Sequence, residues 1–78
     1  MTTKIKFQVP TRSDVAITIF NILGQKVKTI VDDQFDAGYY EADWNGTSSD
    51  GTEVSSGMYF YKIEADDFAS TKKLMLLK

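Results

Sequence analysis

Apolar and polar residues alternate with period two along most of this chain, and turn residues separate the alternating stretches. Successive side chains on a strand point to opposite faces, so this pattern predicts strands with one buried face each. Ile5, Phe7 and Val9 alternate with Lys4, Lys6 and Gln8, and Pro10 ends the strand. Val15, Ile17 and Ile19 alternate with Ala16, Thr18 and Phe20. Residues 21–25 read as a turn carried by Gly24, where a positive φ costs little. Residues 26–31 form a third strand anchored by Val27, and residues 32–38 read as a loop. Tyr40, Ala42 and Trp44 then alternate with Tyr39, Glu41 and Asp43. A turn-rich segment follows over residues 45–57, with the dipeptides Asn45-Gly46 and Asp50-Gly51. Residues 58–65 make a long strand with Tyr59, Tyr61 and Ile63 on one face. Asp66 and Asp67 turn the chain, and residues 68–78 return as a last strand.

Six or seven strands with turns every 8–12 residues predict an all-β fold, a small antiparallel sandwich. No helix-length segment separates consecutive strands, which argues against a parallel α/β sheet. One competing pattern runs over residues 21–32: Phe20, Leu23, Val27, Ile30 and Val31 loosely fit helical spacing. Gly24 and the β-branched run Thr29-Ile30-Val31 favour a strand there.

The length, 78 residues, suits one domain, with residues 1–4 read as a linker or an added start. The apolar fraction of 42% is too high for a disordered chain of this near-neutral charge. Nine basic and eleven acidic residues leave a formal net charge of −2, with no basic stripe for a phosphate backbone. Nucleic acid is therefore not expected as a partner. No run approaches the ~20 apolar residues of a membrane helix, so membrane insertion is not expected either. The start lacks the apolar core of a secretory signal, so an exported form needs a signal elsewhere in a parent chain, or is itself one.

Candidate chemistry is sparse. There is no cysteine and no histidine, which removes thiolate metal sites and the usual base of a hydrolytic triad. No cofactor, metal site or catalytic residue is expected, and the chain does not read as an enzyme. The serines read as turn residues making local backbone hydrogen bonds. The acidic pairs Asp32-Asp33 and Asp66-Asp67 read as solvated loop and turn residues. The oxygen-rich run from Asp43 to Gly51 could attract calcium, but it departs from the helix–loop–helix calcium pattern at Ser48 and Val54. It reads as a wide loop of two tight turns. Asn45-Gly46-Thr47 fits a glycosylation sequon, a short and common match. Trp44, Tyr59 and Tyr61 fall on core positions, which leaves little for a sugar-stacking strip. Lys72, Lys73 and Lys78 read either as protection of an edge strand or as a recognition handle.

The run Val15-Ala16-Ile17-Thr18-Ile19-Phe20-Asn21-Ile22-Leu23-Gly24-Gln25-Lys26-Val27 resembles the opening motif of two related groups. These are the type IX secretion sorting domains and the immunoglobulin-like domain of the flagellar hook-capping protein. The resemblance continues through Ala37-Gly38-Tyr39, Trp44-Asn45-Gly46, Asp50-Gly51-Thr52 and Ser56-Gly57-Met58-Tyr59, and closes on Lys72-Lys73-Leu74. It implies an immunoglobulin-like sandwich. In the sorting group it further implies an export address at the end of a secreted cargo protein, for which an end at Lys78 is suitable. An outer-membrane translocon and attachment machinery would then be the partners, a covalently linked upstream domain the cargo, and the cell surface the destination. Carried over by position, the signal would rest on Gly24, Val27, Gly57, Tyr59, Lys72, Lys73 and Lys78. In the hook-capping group the resemblance implies a structural accessory role.

Overall fold

A computed structural model describes residues 3–66 and 68–77 of the chain. Six strands follow one another: β1 (Thr3–Val9), β2 (Ser13–Phe20), β3 (Lys26–Phe35), β4 (Gly38–Trp44), β5 (Gly57–Ala65) and β6 (Phe68–Leu76). They form two antiparallel sheets, one of β1 and β4, the other in the order β3-β2-β5-β6. No helix occurs among the described residues, so the helical pattern over 21–32 is not realised.

Alternation decides which face of each strand is buried. Ile5, Phe7 and Val9 of β1 and Val15, Ile17 and Ile19 of β2 point between the sheets, while their neighbours face water. Two apolar clusters fill the interior. One gathers Ile5, Ile19, Trp44, Tyr59 and Leu76, and the other Phe7, Val9, Val15, Ile17 and Ala42. In the second, Phe7 stacks on Tyr40 at 5.5 Å and Phe35 stands edge-on to both, at 5.6 and 4.8 Å. Edge-on aromatic contacts align the positive ring rim with a negative ring face.

Three expectations need correction. β1 begins at Thr3, so Thr3 and Lys4 belong to the sheet instead of preceding it as a linker. Residues 32–35, expected in a loop, complete β3 and pair with Ser13–Ala16 of β2. Gly38, expected in the same loop, opens β4 opposite Val9. β3 holds its polar half in place through backbone pairing to β2 and through Phe35, whose ring joins the Phe7–Tyr40 pair. That leaves a connection of only two residues between β3 and β4.

The register between β2 and β3 shifts twice. Val31 pairs with Ile17 but Thr29 with Thr18; Lys28 pairs with Ile19 but Lys26 with Phe20. Ile30 and Val27 are the extra residues, and both pack against the core. A bulge re-aims a side chain that strict alternation would send elsewhere.

Gly57 opens β5 with φ +148°, and a Cβ placed on it meets nothing within 4 Å. Space is free there; the backbone angle is the constraint. Gly57→Val is expected to lower stability by about 1–3 kcal/mol through that angle alone. Gly57→Ala should then lose a similar amount despite its smaller side chain, and a urea titration of both variants checks this. A loss confined to valine would mean crowding instead.

Candidate functional site

Gly24, Val27, Gly57 and Tyr59 gather at one end of the sandwich. β2 and β3 are joined there by a tight turn that Asn21 organises from within. Its Oδ1 accepts the backbone N–H groups of Leu23 at 2.9 Å and Gln25 at 3.0 Å, and its Nδ2 donates to Gln25 Oε1 at 2.9 Å. Gly24 closes the turn at φ +81°, donating its N–H to Asn21 O. The turn is thus fixed by backbone geometry while Ile22 and Leu23 stand in solvent, 70% and 78% exposed.

The long loop between β4 and β5 covers the same end. Trp44, 1% exposed, stands edge-on to Tyr59 at 5.1 Å and donates from Nε1 to Thr47 O at 2.9 Å. Tyr59 donates its hydroxyl to Ser55 O at 2.6 Å. Two core aromatics therefore hold the two ends of the loop. Its middle is strapped to β3: Ser49 donates both its N–H and its hydroxyl to Val27 O, at 3.0 and 3.1 Å. Lys28 points inward beside Ile19 and reaches Thr47 Oγ1 at 3.4 Å. Val27 thus acts twice, with its side chain in the core and its carbonyl holding the loop. Sequence reading did not find the strap, because a serine in a polar loop carries no signal of its distant partner.

Asp50 organises the tip of this loop. Its Oδ1 accepts the Ser48 hydroxyl and the Thr52 N–H. The Ser48 hydrogen bond first, then the Thr52 backbone, lowers its pKa from 3.8 to about 2. Hydrogen bonds to the ionised form favour it. The folded value lies below the unfolded one, so this contribution is complete above about pH 3.8 and is lost as pH falls through about 2. Ser48→Ala is expected to move the Asp50 titration midpoint upward, read by NMR of its carboxyl carbon; an unmoved midpoint would assign the shift to the backbone donors. The Asp50 oxygen is committed to the turn, and Asn45 Oδ1 accepts from Thr47 Oγ1. No group of three acidic side chains suited to a metal ion occurs among the described residues.

Lys72 and Lys73 lie on β6, the edge of the four-stranded sheet. Lys72 pairs with Tyr61 and Lys73 with Phe60, so the two point to opposite faces of the sheet. Lys73 lies on the outer face, and Lys72 lines the mouth of a crevice of about 450 Å³ between β1 and β6, with Phe7, Val9, Ile63 and Phe68. Lys78 lies outside the described residues. Of the expected site residues, the structure thus brings Gly24, Val27, Gly57 and Tyr59 to one end and sends Lys72 and Lys73 to different surfaces.

The sequence profile of the FlgD Ig-like domain matches residues 1–68. The chain belongs to the FlgD Ig-like domain family. Among solved structures, FlgD from P. aeruginosa superposes on it with a TM-score of 0.79 at 25% sequence identity. That likeness covers 96% of this chain and 59% of the FlgD chain, so the chain spans less than two thirds of that protein's length. No curated protein matches it. The fold is immunoglobulin-like. Of the two groups that the sequence resembles, the match supports the hook-capping one. The strap, the Asn21 turn and the Trp44–Tyr59 pair all fall within the matched residues, while most of β6 falls beyond them.

Proposed function

We propose that this FlgD-type domain is a non-catalytic structural module of a larger assembly, as in a hook cap. Membership of the FlgD Ig-like family carries the reading. The use of the motif residues supports it: Gly24, Val27, Trp44 and Tyr59 build one end of the sandwich. The test is a transplant. The module replaces the corresponding part of FlgD in P. aeruginosa, and hooks are counted by electron microscopy. Hooks on the cells support the reading. A stable, folded chimera on hookless cells would remove it.

The second reading is an export address for a linked upstream cargo, acting through an outer-membrane translocon and ending at the cell surface. Its motivation is the lysine-bearing β6, which runs on past the matched residues. The obvious variant, truncation from Lys73, would also remove Leu74 and Leu76 from the core. Reversing charge with Lys72→Glu and Lys73→Glu keeps the core intact. In a type IX host carrying a fluorescent reporter fused to the module, export that fails with the double variant and succeeds with the parent favours the address. A reporter that never leaves the periplasm sinks it.

A further inference from the structure

Of the seven exposed large apolar side chains among the described residues, five, Ile22, Leu23, Met58, Met75 and Leu77, lie at the end of the sandwich where β2 stops and β5 starts. The strand register places two of them, Met58 and Met75, on the outer face of the four-stranded sheet. On the outer face of the four-stranded sheet, Lys26, Phe20, Phe60 and Lys73 follow one another across β3, β2, β5 and β6. Met58 and Met75 pair in the row beyond. Phe20 and Phe60, paired across β2 and β5, are both half-buried, and Met75 is 52% exposed. Lys62 stands one row back, opposite Thr18. The acidic side chains of this face, Asp14, Asp32 and Glu64, sit at its other end. None of Lys26, Lys62 and Lys73 has an ion-pair partner among the described residues.

We infer that this face docks an amphipathic helix of a partner protein, with its apolar stripe on Phe20, Phe60, Met58 and Met75 and acidic residues on both flanks against Lys26 and Lys73. The dimensions fit. Three strand spacings separate β3 from β6, about 14 Å, and a helix with its side chains is about 10–12 Å across. A helix lying over the two central strands therefore places its flanks at the two lysines. Methionines beside aromatics suit such a face, because their unbranched chains adapt to the knobs of the incoming helix. The charge pattern selects the occupant. A second copy pressing the same patch face to face sets lysine against lysine, which disfavours a homodimer there. An acidic partner gains from the same lysines.

The inference stands on this face and holds whichever parent protein carries the module. Its test uses the ¹⁵N-labelled chain and a synthetic peptide with Leu and Phe at helical spacing and Glu on both flanks. The control peptide has each Glu replaced by Lys. Binding should shift the amides of Phe20, Met58, Phe60 and Met75, weaken as salt rises, and fail with the control peptide. The double variant Lys26→Glu, Lys73→Glu should weaken binding roughly tenfold with an otherwise unchanged spectrum. Phe60→Ser is a second, charge-neutral variant that should also abolish the shifts. Shifts that map to the crevice between β1 and β6 would overturn the inference, as would equal binding of both peptides. So would no binding at millimolar peptide, or dimerisation of the free chain through the patch in sedimentation.

Discussion

Trp44→Ala should lower the stability of the domain by about 3–5 kcal/mol, the range for emptying a large buried aromatic site. Three effects converge on this residue. Its ring is in the first core cluster with Ile5, Ile19, Tyr59 and Leu76, its edge-on contact with Tyr59 would vanish, and Thr47 O would lose its Nε1–H partner. Such a loss is comparable to the whole stability of a small domain. Circular dichroism during urea titration is the suitable readout, since Trp44 is the only tryptophan and the variant has no indole emission. Trp44→Phe should recover more than half of the loss, because most of it is packing. A Trp44→Ala variant within 1 kcal/mol of the parent in its midpoint-derived stability would mean that this core collapses around the gap.

Leu76 and Leu77 give the second large effect, as a contrast between neighbours. Leu76 is fully buried opposite Gly57, while Leu77 is 63% exposed. Leu76→Ala is expected to cost about 2–5 kcal/mol, and Leu77→Ala less than about 0.5 kcal/mol. Near-equal losses would contradict the register of β6, because a one-residue slip exchanges the two faces. The pair thus tests stability and strand pairing in one experiment, read as thermal and urea midpoints of the two variants.

The faces of β1, β2 and β4 were legible because each buries one side more deeply than the other. Alternation survives wherever one face meets core and the other meets water, as for Ile5, Phe7 and Val9 or Tyr40, Ala42 and Trp44. β3 was not legible in full, for two physical reasons. Its second half is an edge strand, so Asp32, Asp33 and Gln34 stand in water and their composition is that of a loop. Its first half carries two bulges, which turn Val27, Ile30 and Val31 all toward the core. That three-and-four spacing is what imitates a helix over residues 21–32. The aromatic group of Phe7, Phe35 and Tyr40 was hidden for the same reason, since the residues around Phe35 have the composition of a loop. At the end that carries Gly24 and Tyr59, the turn at Gly24 and the core places of Trp44 and Tyr59 could be read from local patterning. The Ser49–Val27 strap and the row from Lys26 to Lys73 could not, because both arise from pairings between residues far apart in sequence.

The place of β2 in the four-stranded sheet also sets the speed of assembly. β2 with β3, and β5 with β6, are hairpins whose partners are near in sequence. Joining them requires Ile17 to find Ile63 across most of the chain. Closing so long a loop costs entropy before any contact compensates it. Folding in milliseconds to seconds follows, slow for so short a chain. Pairing along the β2–β5 seam is therefore expected to limit the rate, so side chains on that seam, Ile17 and Ile19 foremost, should govern the refolding rate more than those in either turn.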